Sequence, residues 1–328
     1  MFPSLRLSRL RRSPTLRALV QETHLQKTNF IYPVFVEETA EQNTAIAALP
    51  GQSRIAENNL GKHLKNLYTL GIKAVILFGV TQNKDTKGSN SLNKNGFLAR
   101  IVKIAKDSAP EMLIITDNCF CEYTEHGHCG ILTAQGYIDN DASIKLLAEQ
   151  AVICAEAGCD MVAPSAMLDG QIQAIRVALD KHGFEHIPIM SYAIKFASSF
   201  YGPFRHAAKS AITNNNVLDN RKTYQMDMAN ANEALQEAIL DEKEGADILM
   251  VKPAGLYLDV ITKLRDLTYL PVAAYQVSGE YSAIKFACAA GLLDENAAIL
   301  ESLTAIKRAG ASIIISYFTP QITQLLQD

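Results

Sequence analysis

The chain of 328 residues contains no apolar run approaching the roughly 18 residues of a membrane-spanning helix. It also lacks an excess of positive charge. Lys and Arg number 31 against 34 Asp and Glu, a formal net charge of −3, so there is no broad basic field to hold nucleic acid. Cysteine is scarce, at six residues, a usage that fits a reducing, cytoplasmic compartment. No linker, internal repeat or low-complexity stretch divides the chain. Apolar residues are 48% of it, enough for a sizeable core, and the composition is that of a soluble globular protein. The length permits one large domain or two ordinary ones.

Acid is missing from one place in particular. The first 21 residues carry Arg6, Arg9, Arg11, Arg12 and Arg17, and no Asp or Glu precedes Glu22. Arg- and Ser-rich, acid-poor starts occur in transit peptides. An arm that docks on another subunit, its arginines pairing with carboxylates there, accounts for the same composition. The arginines interrupt any apolar core, which argues against a secretory signal.

What is present is a rhythm. Short apolar runs recur at 30–36, 74–80, 113–120, 161–167, 187–193, 248–254, 271–278 and 312–318. They are continuous rather than alternating, as expected of parallel strands buried on both faces. Amphipathic segments separate them, and those at 143–158, 231–245 and 296–310 each end on a glycine, the usual helix C-cap. Asp141 or Ser143, and Asn230 or Asn232, are the expected N-caps. Eight strands alternating with helices predict one α/β domain, a (β/α)8 TIM barrel over 26–328. Polar stretches at 81–96 and 202–222 exceed ordinary loops, and the second follows strand five, which makes it the candidate lid.

A barrel builds its active site at the carboxyl ends of its strands. Asp117, Lys195, Lys252, Ser278 and Tyr317 all fall there. Lys252, inside the apolar run ILMVKPA, is costly to bury unless it loses its proton or finds a partner. A desolvated lysine is a nucleophile for a carbonyl carbon, and Lys195 in the same mouth would lower its pKa further. The plainer alternative is a lysine that snorkels to the rim or pairs with a carboxylate. The stretch DNCFCEYTEHGHCG at 117–130 gathers Cys119, Cys121 and Cys129. Three thiols suit zinc, with an open fourth position or with His126 or His128 completing a closed site. A redox pair plus a spectator remains the alternative. Cys154, Cys159 and Cys288, in Ala-rich surroundings, read as core packing.

DNCFCEYTEHGHCG, SYAIKFASSFYGPFR, RKTYQMD, MVKPAG, YQVSGEY and SYFTPQ, in that order, resemble the porphobilinogen synthase (5-aminolevulinate dehydratase) family across essentially the whole chain. The resemblance implies condensation of two 5-aminolevulinate molecules to porphobilinogen with loss of two waters, in tetrapyrrole (heme) synthesis. It implies a Schiff base at Lys252 with one substrate, Lys195 holding the second, and Asp117 assisting proton transfer. Cys119, Cys121 and Cys129 match the zinc-type loop. Arg205, Arg221 and Lys222 match a carboxylate clamp, and Ser278 and Tyr317 the hydroxyl donors to the other carboxylate. Glu237 aligns with an allosteric magnesium ligand. Residues 1–25 match an extended N-terminal oligomerisation arm, and a homo-octamer is implied.

The chain departs from the family's usual pattern in places. PSAMLDGQ stands where PSDMMDGR is usual, so Ala166 and Gln171 replace an Asp and an Arg. His206 and Met228 also differ from the common residues. These changes spare the lysines and thiols and bear on regulation and lid closure. Two rival readings stay open on residues alone: another Schiff-base lyase of the aldolase type, and a zinc-stabilised barrel without catalysis.

Overall fold

β-branched and aromatic residues dominate the eight apolar runs, and each run forms a strand. They are Phe30–Glu37 (β1), Ala74–Val80 (β2), Leu113–Asn118 (β3), Met161–Pro164 (β4), Met190–Lys195 (β5), Ile248–Lys252 (β6), Val272–Gln276 (β7) and Ile313–Ser316 (β8). The computed structural model describes residues 5–212 and 217–326. Residues 1–4 of the expected arm and 213–216 of the expected lid therefore lie outside the described residues.

Neighbouring strands pair in parallel in the order β4-β3-β2-β1-β8-β7-β6-β5. The ends of that order meet where Val162 bridges Ile189 in parallel and the Val162 N–H donates to Pro188 O at 3.1 Å. The sheet thus closes into a (β/α)8 barrel, as the rhythm of the sequence predicts. Every residue of β1, β5, β6 and β7 is buried, which explains why these strands read as unbroken apolar runs.

Helices Asn140–Glu156, Ala231–Glu244 and Glu295–Ala309 match the three amphipathic segments. Gly245 ends the second of them at φ 104°, a conformation that costs glycine nothing. The N-cap of the first differs from expectation. Asp139, not Asp141 or Ser143, accepts from the Ala142 N–H at 3.1 Å. Ser143 instead anchors the end of the cysteine-rich loop, where its Oγ accepts from the Ile131 N–H at 2.9 Å. Cys154 and Cys159 are buried as expected, whereas Cys288 is only half-buried on its helix, so the core reading of that residue fails.

Two elements are not anticipated by the apolar rhythm. Thr44–Ala45 and Ser53–Ala56 form a small antiparallel pair, and Ser53–Ala56 lies parallel against the end of β1. At the N-terminus, the helix Pro14–Leu19, capped by Ser13, buries none of its residues, and Leu5, Leu7, Leu10 and Leu19 are exposed. No helix among the described residues is long and apolar enough to cross a membrane.

Candidate active site

Lys195 and Lys252 close adjacent parallel strands and stand opposite one another in register. A bulge makes this possible. Ser191 faces outward, where its hydroxyl bonds Asp241 of the surrounding helix Ala231–Glu244. In a regular strand Lys195, four residues on, would face outward too. Between Ser191 and Ile194 the register to β6 shifts, so β5 spends one extra residue there. The shift turns Lys195 inward, onto the same side as Tyr192 and Lys252. The Lys252 ammonium then lies 4.9 Å from the Tyr192 ring centroid and 4.3 Å from that of Tyr275, and Lys195 lies 5.5 Å from Tyr192. Both lysines are buried, at 6% and 5% exposure.

Burial, reinforced by the charge of Lys195, lowers the pKa of Lys252 from 10.5 to about 7. The Lys195 amine donates to Ser165 O. Asp117, the fifth residue of β3, accepts from Ser165 Oγ at 3.1 Å. Its carboxyl is pushed up from 3.8 to about 7 by burial and by Glu122, against the pull of Lys195 and Lys252. Acid and amine therefore titrate in the same range, a match that favours proton exchange between them.

The thiols of the loop after β3 come together. The sulfurs of Cys119, Cys121 and Cys129 lie within 4.8 Å of one another, all three buried, with Cys119 and Cys121 at 3.4 Å. Tetrahedral zinc–sulfur bonds of about 2.3 Å place sulfurs about 3.8 Å apart, so the cluster matches a single ion with little movement. Hydrogen bonds from Cys119 and Cys121 hold the Cys129 thiol well below its usual range, while burial pushes Cys119 up.

This loop is held from several sides. Gln150 donates to Cys119 O at 3.1 Å, and the Thr124 hydroxyl bridges Phe120 O and His128 O. His128 uses both ring nitrogens elsewhere, against Tyr224 Oη at 3.0 Å and Leu218 O at 3.1 Å. It therefore orients the loop. Residues 81–96 cradle it: Asp85 forms a parallel bridge with Thr124.

The segment from 202 onward covers the mouth. Its helix Gly202–Ala207 inserts Phe204 against Phe35 and Phe78, with centroids at 5.6 and 5.2 Å, and within 5.2 Å of the Lys252 ammonium. Arg221 is buried and donates to Gly127 O at 2.7 Å and Ser210 O at 2.9 Å, tying lid and cysteine loop together. Arg205 lies on the lid helix, and burial beside Arg221 lowers its pKa. Ser278 Oγ accepts from the Phe204 N–H at 3.0 Å and donates to Phe200 O at 3.2 Å. Tyr317 is equally buried, its hydroxyl 3.3 Å from that of Tyr275.

Gly279 fixes how closely this lid seats. A Cβ there would meet Phe200 O at 2.6 Å and Phe200 Cα at 2.7 Å, both backbone. Gly279→Ala is expected to push the lid hinge outward and raise KM roughly tenfold, with a smaller effect on kcat, the scale of a core overpacked by 1–3 kcal/mol. Steady-state kinetics that leave KM unchanged would contradict it.

Asp117, Cys121, Glu122, Ser165, Lys195, Lys252 and Arg221 thus line one cavity, closed by Tyr201 and Phe204. Asp117 Oδ1, Glu122 Oε1 and Arg221 Nε in it are buried without a partner, and Arg205 Nε beside it likewise. Groups of both signs with unspent hydrogen-bonding capacity fit a polar, zwitterionic ligand.

Comparison with known proteins agrees with this arrangement. The family model for delta-aminolevulinic acid dehydratase matches residues 4–325. The Escherichia coli K12 delta-aminolevulinic acid dehydratase is 51% identical over 316 residues, covering 96% of both chains. The chain belongs to the delta-aminolevulinic acid dehydratase family.

The Helicobacter pylori dehydratase is 48% identical over 323 residues, covering 98% of each chain. A crystal structure of the Toxoplasma gondii dehydratase (porphobilinogen synthase), in complex with its reaction product porphobilinogen, superposes with a TM-score of 0.95 at 39% identity. That match covers 99% of this chain and 92% of the other.

Two residues singled out in the sequence stand apart from the dehydratase cavity. Lys222 is exposed, unlike Arg221 beside it. With Glu237 it lines a separate cleft that also carries Asp169, Asp227 and Glu233. Burial, with Asp169, Glu233 and Glu244 nearby, raises the Glu237 carboxyl. Ala166 and Gln171, the departures upstream, are both buried, and Gln171 accepts from the Leu168 N–H at 3.4 Å.

Several site residues escaped sequence reasoning. Glu122 and Ser165 lie inside motifs whose cysteines and position drew the attention. Tyr192, Tyr201 and Tyr275 lie inside the quoted motifs SYAIKFASSFYGPFR and YQVSGEY, where the lysine, arginine and serine drew the attention. Glu280 accepts from the Gly255 N–H at 2.6 Å and the Val277 N–H at 2.7 Å, tying the turn after Lys252 to the helix that begins at Ser278. A carboxylate three residues into a helix is a capping-box signal that could have found it.

Proposed function

We propose that Lys252 and Lys195 are the amines with which this chain performs the reaction of its family, condensing two 5-aminolevulinate molecules into porphobilinogen with loss of two waters. The observation that carries the assignment is the pairing of the two lysines, opposite in register, in one closed cavity with Cys121 of the thiol cluster. Lys252, free of its proton near neutral pH, adds to the substrate ketone; the adduct loses water and leaves an iminium carbon. Asp117, titrating in the same range, takes and returns the protons of these steps. Lys195, bonded to Ser165 O, holds the second substrate beside the first. Arg205 and Arg221 meet one substrate carboxylate, with Lys222 extending their charge toward solvent, and Ser278 and Tyr317 the other. The lid bearing Phe204 excludes water.

Cys119, Cys121 and Cys129 would hold zinc, whose role when bound is Lewis-acid chemistry at an open position. Glu237, among the carboxylates of its cleft, would hold an allosteric magnesium ion through one oxygen and waters. The exposed leucines of residues 5–19 support an arm that packs on a second copy, within a homo-octamer. Deleting residues 1–25 is expected to shrink the assembly in sedimentation velocity, and an unchanged size would reject the arm. The six free cysteines support a cytoplasmic location.

The covalent assignment is tested by borohydride reduction with 5-aminolevulinate at several pH values, followed by peptide mass spectrometry. Trapping at Lys252 should rise about tenfold per pH unit toward pH 7 and level off above it, because only the unprotonated amine attacks. A profile that keeps rising to pH 10 would mean an ordinary lysine and defeat the assignment.

A further inference from the structure

We propose that Gln52 is a positioning residue for the dehydratase reaction, holding the hydroxyl donors Ser278 and Tyr317 in one frame from outside the barrel. The inference rests on the reading of Ser278 and Tyr317 as donors to a substrate carboxylate. Gln52 precedes the short strand Ser53–Ala56 and is buried. Both ends of its side-chain amide are engaged. Its Oε1 accepts from Tyr32 Oη at 2.6 Å, and its Nε2 donates to Tyr317 O and to Tyr281 Oη, each at 3.2 Å. Tyr281 lies within the first turn of the helix that Ser278 begins, and its hydroxyl donates in turn to Pro50 O at 2.6 Å. Ser282 of the same helix donates through Oγ to Ala48 O at 2.7 Å. Residues 48–52 thus grip both the main chain of Tyr317 and the helix that carries Ser278.

The topology explains why a grip is needed here. β8 pairs with β1 only at Phe30 and Ile31 and ends at Ser316. From Phe35 to Glu37 the neighbour of β1 on that side is Ser53–Ala56 instead. Tyr317 falls at the seam, past the last ladder pair of β8 with either neighbour, and the Gln52 amide takes its carbonyl there. Phe35 faces the mouth, its ring stacked with that of Tyr317 at 6.2 Å and 7°. Tyr32, three residues earlier on β1, faces the outer side. The network around Gln52 therefore holds Tyr317 from behind and leaves its hydroxyl in the mouth beside Tyr275. Gln52 is itself fixed: its N–H donates to Leu49 O at 2.9 Å, and its carbonyl accepts from the Ile46 N–H at 3.0 Å, with Ile46 and Leu49 buried. A fully satisfied buried network holds one arrangement. That matters because misplacing a binding group by about 1 Å can cost on the order of 10²-fold in rate.

The test is steady-state kinetics of the full-length enzyme with 5-aminolevulinate. Gln52→Glu keeps the acceptor for Tyr32 and loses both donors, and Gln52→Met loses all three bonds at similar volume. Each should raise KM about tenfold with kcat within about threefold of wild type, because substrate placement is lost and the amines are not. Tyr317→Phe should raise KM as well. In that background Gln52→Met should add no more than about threefold, since the hydroxyl it chiefly places is already gone. Gln52 variants with the wild-type KM, or a full tenfold added on top of Tyr317→Phe, would overturn the Gln52 inference and leave Tyr317 in its role. A Tyr317→Phe enzyme with the wild-type KM would instead remove the carboxylate reading, and the inference with it. Should neither Gln52 variant fold, Tyr281→Phe, which deletes one oxygen from the network, decides: a KM raised about threefold supports the inference, and an unchanged KM overturns it.

Discussion

Lys252→Met is expected to lower kcat by on the order of 10⁴ to 10⁶, the loss typical when a catalytic nucleophile is removed, and to eliminate the borohydride-trapped adduct at this position. The magnitude follows from what remains. Lys195 keeps its place and its bond to Ser165 O, and the arginines still offer charge to a carboxylate. No second amine with the same environment stands where Lys252 does, ringed by Tyr192, Tyr201, Phe204 and Tyr275 at 4.3 to 5.4 Å. Methionine fills a similar volume, so the variant tests chemistry and not packing. Stability gives a second readout with a definite sign. The folded pKa, about 7, lies below the unfolded value, so between pH 7 and 10.5 the unfolded chain holds more protons. The wild type therefore gains stability from this group as pH rises through that window. Lys252→Met should lose that dependence and be at least as stable as wild type at pH 7. A variant that keeps activity within tenfold would refute the role of Lys252.

The sequence conveys this architecture well because a parallel barrel buries both faces of each strand. Runs such as AVILFGV at 74–80 carry no polar residue that a solvent-facing strand would need, and glycines end the helices between them. The small pair at Thr44–Ala45 and Ser53–Ala56 has no such signature, being short and partly exposed. The site was legible to the extent that its residues are chemically conspicuous: lysines in apolar strands, thiols crowded on one loop. What escaped was relational. Lys195 faces the cavity only because β5 bulges between Ser191 and Ile194, a register change that no local pattern announces. Arg221 and Lys222 are neighbours in sequence, yet one is buried in the cavity wall and the other is exposed on a different cleft. Glu122 was not singled out in the sequence, and only its burial, its unpartnered oxygen and its place in the cavity wall mark it.

Removing zinc with a chelator, or replacing Cys129 by alanine, is expected to abolish activity while leaving the barrel folded. The reason lies in how the loop is held. Its backbone does not depend on an ion for shape: Gln150 holds Cys119 O, Thr124 bridges the loop's two ends, and Arg221 grips Gly127 O. The Ile131 N–H is fixed by Ser143 of the next helix. Gly127, at φ 71°, lets the chain pass close beneath Ala211 where a Cβ would collide with its carbonyl. Small zinc domains unfold without metal because the ion replaces a core they lack. Here the thiols are packed into the core of a large barrel, whose many other buried side chains do not involve an ion. The metal-free protein should thus keep its far-ultraviolet circular dichroism and a cooperative unfolding transition, with turnover restored on adding zinc back to the wild type. Cys129→Ala should not recover, since two thiols grip zinc far more weakly than three. The Lys252 adduct gives the finer distinction. That amine owes its low pKa to burial and to Lys195, so imine formation there should survive zinc removal even when the second condensation does not. Global unfolding on chelation would instead make the ion structural, and full activity without zinc would remove it from the chemistry altogether.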